Sequence, residues 1–501
     1  MITGAGSASL AAGTESRPLP RRSPGSMGVR AEAVAQFLDA LERDPQVEPH
    51  SLMLVRGGAV VAEGWWAPYS AGRVHHLYSL SKTFTATAVG FAQAEGRLGL
   101  DDRIIDHFPE FADQITGPGS RQIRIRDALA MATGHHRDMV LDASATDPDE
   151  PVRGFLLHEP ESAPGSRFTY NQPATYAVAA ALQRAVGCGL TDYLRPRLLD
   201  PLGIGPVAWH ENPPGRAVGF SGLHATTEAV AKLGLLYLRE GRWHGRQVLP
   251  AGWVADVRRP RFVPESPHPD WSLGYGYQVW RSRHGYRGDG AYGQFCLVLP
   301  EYDAVLVTTM GTVRTQAVLD AVWDILLPGL GTSARRRVPL QPRVADHDDA
   351  LARRLRDLVL PASSGGPVDD RWMGVHRGTD LTVTIPPPDG NGVCRVAWLE
   401  DGRIRLTVPI GTGERWTVVE PDTQSHPDTP PVAVSGGVTA SRDGTPRLRV
   451  DLAFLESPHR LYVDVHLSGP ERGVTAAWGT APLRLTDETL LDRGARWPAR
   501  G

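Results

Sequence analysis

The chemistry most available to this chain starts at Ser79 and Lys82, an S-x-x-K pair heading a segment with helical spacing. Residues three apart share a helix face, so hydroxyl and amine can meet, and the helix N-terminus adds positive potential and unpaired N–H groups there. An amine held partly out of water beside that field can lose its proton near neutral pH and take the serine's, which makes the serine a nucleophile. Lys82 and Lys232 are the only lysines among 53 basic residues. Arginine serves everywhere else, so a retained lysine points to a need arginine cannot meet, reversible deprotonation. Without further context, the same four residues also fit a serine N-cap and a surface amine.

The surrounding residues resemble the class C β-lactamase-like, penicillin-recognising serine hydrolases, a family that includes carboxylesterases, nylon-oligomer hydrolases and some acyltransferases. His76-Leu77-Tyr78-Ser79-Leu80-Ser81-Lys82-Thr83-Phe84-Thr85-Ala86 is similar to its nucleophile helix, residues 95–102 to the continuation, and residues 129–135 to the loop after the next helix. Residues 164–172, ending in Tyr170-Asn171-Gln172, resemble the family's Y-x-N segment. The resemblance implies that Tyr170, partly ionised beside a lysine, activates Ser79 or shuttles the proton to the leaving group. It implies a substrate contact for Gln172, which stands where asparagine is common.

Gly288-Asp289-Gly290-Ala291-Tyr292-Gly293-Gln294 resembles the G-x-x-G-Q form of the family's third element. This implies the backbone N–H groups of Ser79 and Ala291 as the oxyanion hole, with Asp289, Gly290 and Tyr292 binding substrate. No K-T-G occurs, so the charge that holds a penicillin carboxylate is missing unless Arg281, Arg283 or Arg287 replaces it. The resemblance therefore implies ester or amide hydrolysis ahead of β-lactamase or D,D-peptidase activity. Residues 219–223 also resemble a family segment and receive no catalytic role.

Elements must position these groups. Residues 31–43, 81–95, 175–185 and 228–239 show helical spacing, while 51–55 and 59–65 alternate around Gly57-Gly58 as a hairpin. Residues 295–299 and 304–309 read as buried strands turned at Pro300-Glu301-Tyr302-Asp303. Helices mixed with hairpins give an α+β class. The resemblance implies a β-lactamase/transpeptidase-like antiparallel sheet flanked by helices, with a helical subdomain. Beyond residue 367 short alternating runs at 393–399, 403–408, 447–452 and 460–467, separated by turns and a Pro/Asp/Thr-rich loop at 420–431, predict a separate all-β domain, a sandwich or barrel. The expected division is a disordered tail at 1–27, the hydrolase domain at 28–330, a linker at 331–366 and the β domain at 367–501.

Composition sets the outer bounds. The chain has 501 residues, 41% of them hydrophobic and 22% charged, near the globular average, and a net charge of −3 offers no field for nucleic acid. Cys188, Cys296 and Cys394 form no C-x-x-C pair and read as reduced thiols. His75-His76, His135-His136 and Asp346-His347-Asp348 lack metal-ligand spacing, so no metal and no cofactor is expected. No window reaches the length of a transmembrane helix and no signal peptide is recognised, which gives a cytoplasmic expectation. Trp65-Trp66 is weighed as an acyl-pocket lining against a packed hairpin, and the hairpin is favoured.

The expected function is a serine hydrolase that cleaves an ester or amide of a small molecule through a Ser79 acyl-enzyme. An acyltransferase working through the same intermediate is the alternative, and a catalytically quiet binding or scaffold protein is the alternative of another class. Oligomeric state is not readable from the sequence.

Overall fold

The computed structural model describes residues 17–331, 342–378, 381–387, 395–400, 403–410, 415–420, 430–441, 444–467 and 473–483. The chain divides into two compact units, one built from 17–64 and 76–357, the other from 65–75 and the described residues from 358 onward.

The first unit is organised on a six-stranded antiparallel sheet. Its strands are β1 (Val47–Arg56), β2 (Ala59–Trp65), β3 (Trp280–Ser282), β4 (Gly285–Gly290), β5 (Gln294–Leu299) and β6 (Ala304–Thr312), in the order β2-β1-β6-β5-β4-β3. The two ends of the unit thus meet at the centre, where Met53 faces Val307 and Leu54 faces Leu306. Every residue of β6 is buried, which requires cover on both faces of the sheet.

Helices supply that cover. In α1 (Ala31–Arg43), Val34, Phe37, Leu38 and Leu41 are buried at helical spacing, and the helix packs on β1. Helix α2 (Ser81–Ala94) is buried from Ser81 through Ala92, and α3 (Gln172–Val186) packs beside it. Helix α4 (Thr227–Leu238) starts at the Thr226 cap and lies on β1, β5 and β6. It approaches the sheet closely at Gly234, where a Cβ would stand 2.6 Å from Val305 Cγ1 and 2.7 Å from Cys296 Sγ.

Two boundaries differ from expectation. Residues 1–16 of the expected tail lie outside the described residues, but 17–27 are held in place. Arg21 forms a parallel bridge with Val60 and pairs with Glu63 at 2.8 Å and Glu228 at 2.9 Å, and residues 25–27 form a 3-10 turn. In the expected linker, 332–341 lie outside the described residues, and α5 (Pro342–Arg356) packs on α1. Its side chains contact α1: Arg354 pairs with Asp39 and Glu42, and His347 lies against Glu32.

The second unit contains two antiparallel sheets. One orders Gly374–Arg377, Thr382–Ile385, Arg395–Glu400 and Arg403–Pro409; the other orders Thr417–Val419, Val432–Ala440, Pro446–Phe454, Arg460–His466 and Gly473–Trp478. Val383, Ile385, Val396 and Val408 of the first share one core with Val434, Val450, Leu461 and Val463 of the second, as in a sandwich. The loop expected at 420–431 lies mostly outside the described residues. The segment 65–75 joins this unit through backbone bonds of Ala67 to Leu358 and Leu360, the Tyr69 hydroxyl on Ser457 O and an Arg73–Glu420 ion pair. Among the described residues no helix is long and apolar enough to cross a membrane.

Candidate active site

Ser79 sits in a 3-10 turn, Tyr78–Leu80, that leads directly into α2. The turn is tightly held. Tyr78 adopts φ 49°, the Ser81 hydroxyl donates to Tyr78 O at 2.6 Å, Leu223 N donates to Ser81 Oγ at 3.1 Å, and Leu77 N donates to Leu223 O at 2.9 Å. A left-handed tyrosine costs on the order of 1 kcal/mol or more, and here the surrounding bonds impose it beside the nucleophile.

Lys82 is 1% exposed, with Nζ 3.0 Å from Ser79 Oγ, 2.6 Å from Gln172 Oε1 and 2.9 Å from Phe220 O. Burial brings its pKa down to about 7, partly offset by the fields of Asp138 and Asp289. The three contacts suit the neutral amine that burial favours. Two N–H groups serve the amide and carbonyl oxygens, which can only accept, and the lone pair is left facing the Ser79 hydroxyl.

Tyr170 lies against the same pair. Lys82 Nζ stands 4.8 Å from the centre of the Tyr170 ring, and the phenol and the Ser79 hydroxyl are hydrogen-bonded. Burial pushes the phenol well above its ordinary range, and the Ser79 bond only partly opposes this. Burial thus works against the expected partial ionisation of Tyr170, and the lysine lies over the ring face. Trp280 stacks on Tyr170 with ring centres 5.8 Å apart, and Tyr275 meets it edge-on.

Gln172, expected to face substrate, spends its side-chain oxygen on Lys82, and its backbone N–H donates to Asp138 Oδ1 at 3.0 Å. The segment 219–223, given no role, supplies the Phe220 carbonyl and lies close to α3, since a Cβ on Gly219 would come 2.3 Å from that of Ala179. Both are backbone or relayed contacts that residue types do not announce.

The third element runs alongside the nucleophile turn. A Cβ on Gly290 would stand 2.2 Å from Leu77 O and 3.2 Å from Leu80 N, so only glycine lets the strand approach this closely. The chain then leaves β4 in a 3-10 turn, Ala291–Gly293, with Tyr292 at φ 68°. Buried Gln294 pins that turn, donating to Ala291 O at 3.0 Å and Met310 O at 2.7 Å. Tyr292, next to Ala291, meets Tyr78, next to Ser79, edge-on with ring centres 5.2 Å apart.

Asp289 and the nearby arginines are held largely by one another and by neighbouring groups. Asp289 accepts from Arg287 Nε at 2.9 Å and from the Trp271 indole. Arg287 is fully buried and also donates through Nη1 to Asp270 O, Arg281 O and Ser282 Oγ, while its Nη2 has no hydrogen-bond partner among the described residues. Arg283 pairs with Asp270 and Asp320. Arg281 is exposed between buried Trp280 and Ser282, and strand alternation turns it to the face opposite the Trp280 that stacks on Tyr170. Trp65 and Trp66 belong to the second unit, where Trp66 is buried. Among the described residues no group of three or more His, Cys, Asp or Glu side chains is placed to hold a metal.

Comparison with known proteins gives the family and the fold. The Beta-lactamase family model matches residues 34–325. The 6-aminohexanoate-dimer hydrolase of Paenarthrobacter ureafaciens is 26% identical over 313 residues, 57% of this chain and 78% of that protein. Among solved structures, a Bacillus anthracis protein provisionally named a 6-aminohexanoate-dimer hydrolase gives a TM-score of 0.51 at 18% identity, covering 65% of this chain and 90% of that one. A penicillin-binding protein homologue from Caulobacter crescentus gives 0.50 at 16%, covering 62% and 100%. The chain thus belongs to the β-lactamase family of penicillin-recognising serine hydrolases.

Proposed function

We propose that this chain is a serine hydrolase that cleaves an ester or amide of a small molecule through an acyl-enzyme on Ser79. The observation that carries the reading is the Lys82 amine, desolvated and 3.0 Å from Ser79 Oγ with its other two contacts taken by acceptors. Ser79 Oγ attacks the substrate carbonyl carbon as Lys82 takes its proton. The N–H groups of Ser79 and Ala291 meet the developing oxyanion. Tyr170, a phenol kept protonated by burial, donates to the leaving oxygen or nitrogen as its bond to carbon breaks and is reprotonated from Lys82. Water then attacks the acyl carbon, and Ser79 leaves with the proton returned.

The hydrolase name of the Paenarthrobacter relative supports the same class. An alcohol or amine acceptor in place of water gives transfer instead of hydrolysis with the same groups. Because Arg287 and Arg283 are paired within the protein, the acyl side of the substrate is expected to lack a carboxylate. Hydrolysis of a p-nitrophenyl ester by the parent and by Ser79→Ala tests the reading. A loss of at least about a hundredfold is expected, and full activity in the variant would overturn it.

A further inference from the structure

Asp138 and Met139, just before the short helix Val140–Thr146, and the first residues of α3 grip each other in both directions. Asp138 Oδ1 accepts the backbone N–H of Gln172 at 3.0 Å, while Asn171 Oδ1 accepts the backbone N–H of Met139 at 2.9 Å. Asn171, at the N-cap position, makes no capping bond of its own, so the first turn of α3 is capped from outside by Asp138. The same oxygen accepts from Val140 N at 3.2 Å. The residue so capped is Gln172, whose side-chain oxygen holds the Lys82 amine at 2.6 Å.

A neutral side chain could accept two N–H bonds, yet a carboxylate stands here, half-buried and disfavoured by its own desolvation. Among the described residues the buried cation that its charge faces is Lys82. The groups that face Lys82 are Ser79 from its own turn, Tyr170 and Gln172 at the start of α3, the Phe220 carbonyl, Asp138 from the loop before Val140–Thr146 and Asp289 from β4. Asp289 is already matched by Arg287. Neighbouring Arg137 is paired with Asp142.

On the reading that Ser79 forms an acyl-enzyme, we propose that Asp138 is a positioning residue, which fixes Gln172 and through it the Lys82 amine at Ser79, and whose charge sets how readily that amine gives up its proton. The isosteric Asp138→Asn keeps an acceptor for Gln172 and removes the charge; Asp138→Ala removes both.

With only two lysines in the chain, the experiment is direct. Protein labelled with ¹³C at lysine Cε gives two signals, assigned with Lys232→Arg, and the midpoint of Lys82 is read by NMR titration independently of any substrate. In the parent it is expected near pH 7. In Asp138→Asn it should fall by about one pH unit, because a favourable negative field has been removed, while Lys232 stays where it was and reports an intact fold. Fluorophosphonate labelling at pH 9, where the amine is neutral in all forms, reads positioning. Asp138→Ala should label at least about tenfold more slowly than the parent, with Asn restoring the larger part of the rate. A Lys82 midpoint unchanged or raised in Asp138→Asn would overturn the proposal. A parent whose label does not depend on Ser79 would instead overturn the acyl-enzyme reading, with the titration still judging Asp138.

Discussion

Ser79 and Lys82 could be named from residue type and spacing because the need for a deprotonatable cation is visible against an arginine background. Tyr170 and Gln172 were reached only through the resemblance, and Phe220 not at all, because it contributes a backbone carbonyl; that the Gln172 oxygen is held on Lys82 is not announced by residue type. The desolvation of Lys82 has a pH consequence. Its folded pKa lies below the ordinary lysine value, so the amine is protonated and inactive below pH 7 and free to accept the serine proton above it. Ester hydrolysis measured as kcat/KM from pH 5 to 9 should therefore rise through a midpoint near 7 and then level. Lys82→Arg should not recover that limb, since guanidinium stays protonated throughout. A flat profile would remove the lysine from the proton transfer. Arg287 is a different case. It is buried against Asp289, and Arg287→Ala leaves that carboxylate without its cation, which should cost about 3 kcal/mol or more in chemical unfolding.

At the scale of elements, regular amphipathic segments were readable and close approaches were not. Helix α1 and strand β2 have the expected bounds because their apolar periodicity is uninterrupted. Strand β3 is too short to show alternation, and β4 was reached only through the resemblance at Gly288–Gly290, because its glycines dilute any alternation while letting its backbone approach the nucleophile turn. Gly290→Ala forces a Cβ to 2.2 Å from Leu77 O, a backbone atom that has no rotamer to yield with. Loss of ester hydrolysis by at least about tenfold is expected, with a fall in Tm of several degrees. Gly72→Ala, with nothing within 4 Å of its Cβ, should leave Tm in place.

For the whole molecule, the fold class was readable on both sides of residue 367, since the grammar of helices and hairpins gives way there to short alternating strands. The division of the chain was not, because residues 65–75 cross over to the second unit and no composition shift marks them. Cutting the chain after 357 would therefore strip this segment of its partners, leaving Trp66 and Tyr69 uncovered. A chain ending at 357 should bind a hydrophobic dye and unfold at lower temperature than the parent; unchanged melting would show that the two units separate cleanly.

The central claim is that Ser79 is an activated nucleophile. Intact-mass spectrometry after exposure to a fluorophosphonate, on parent and Ser79→Ala side by side, tests it most directly. One adduct on the parent and none on the variant is the expected result. A folded parent that takes up no adduct, or a variant that takes up the same one, would contradict it.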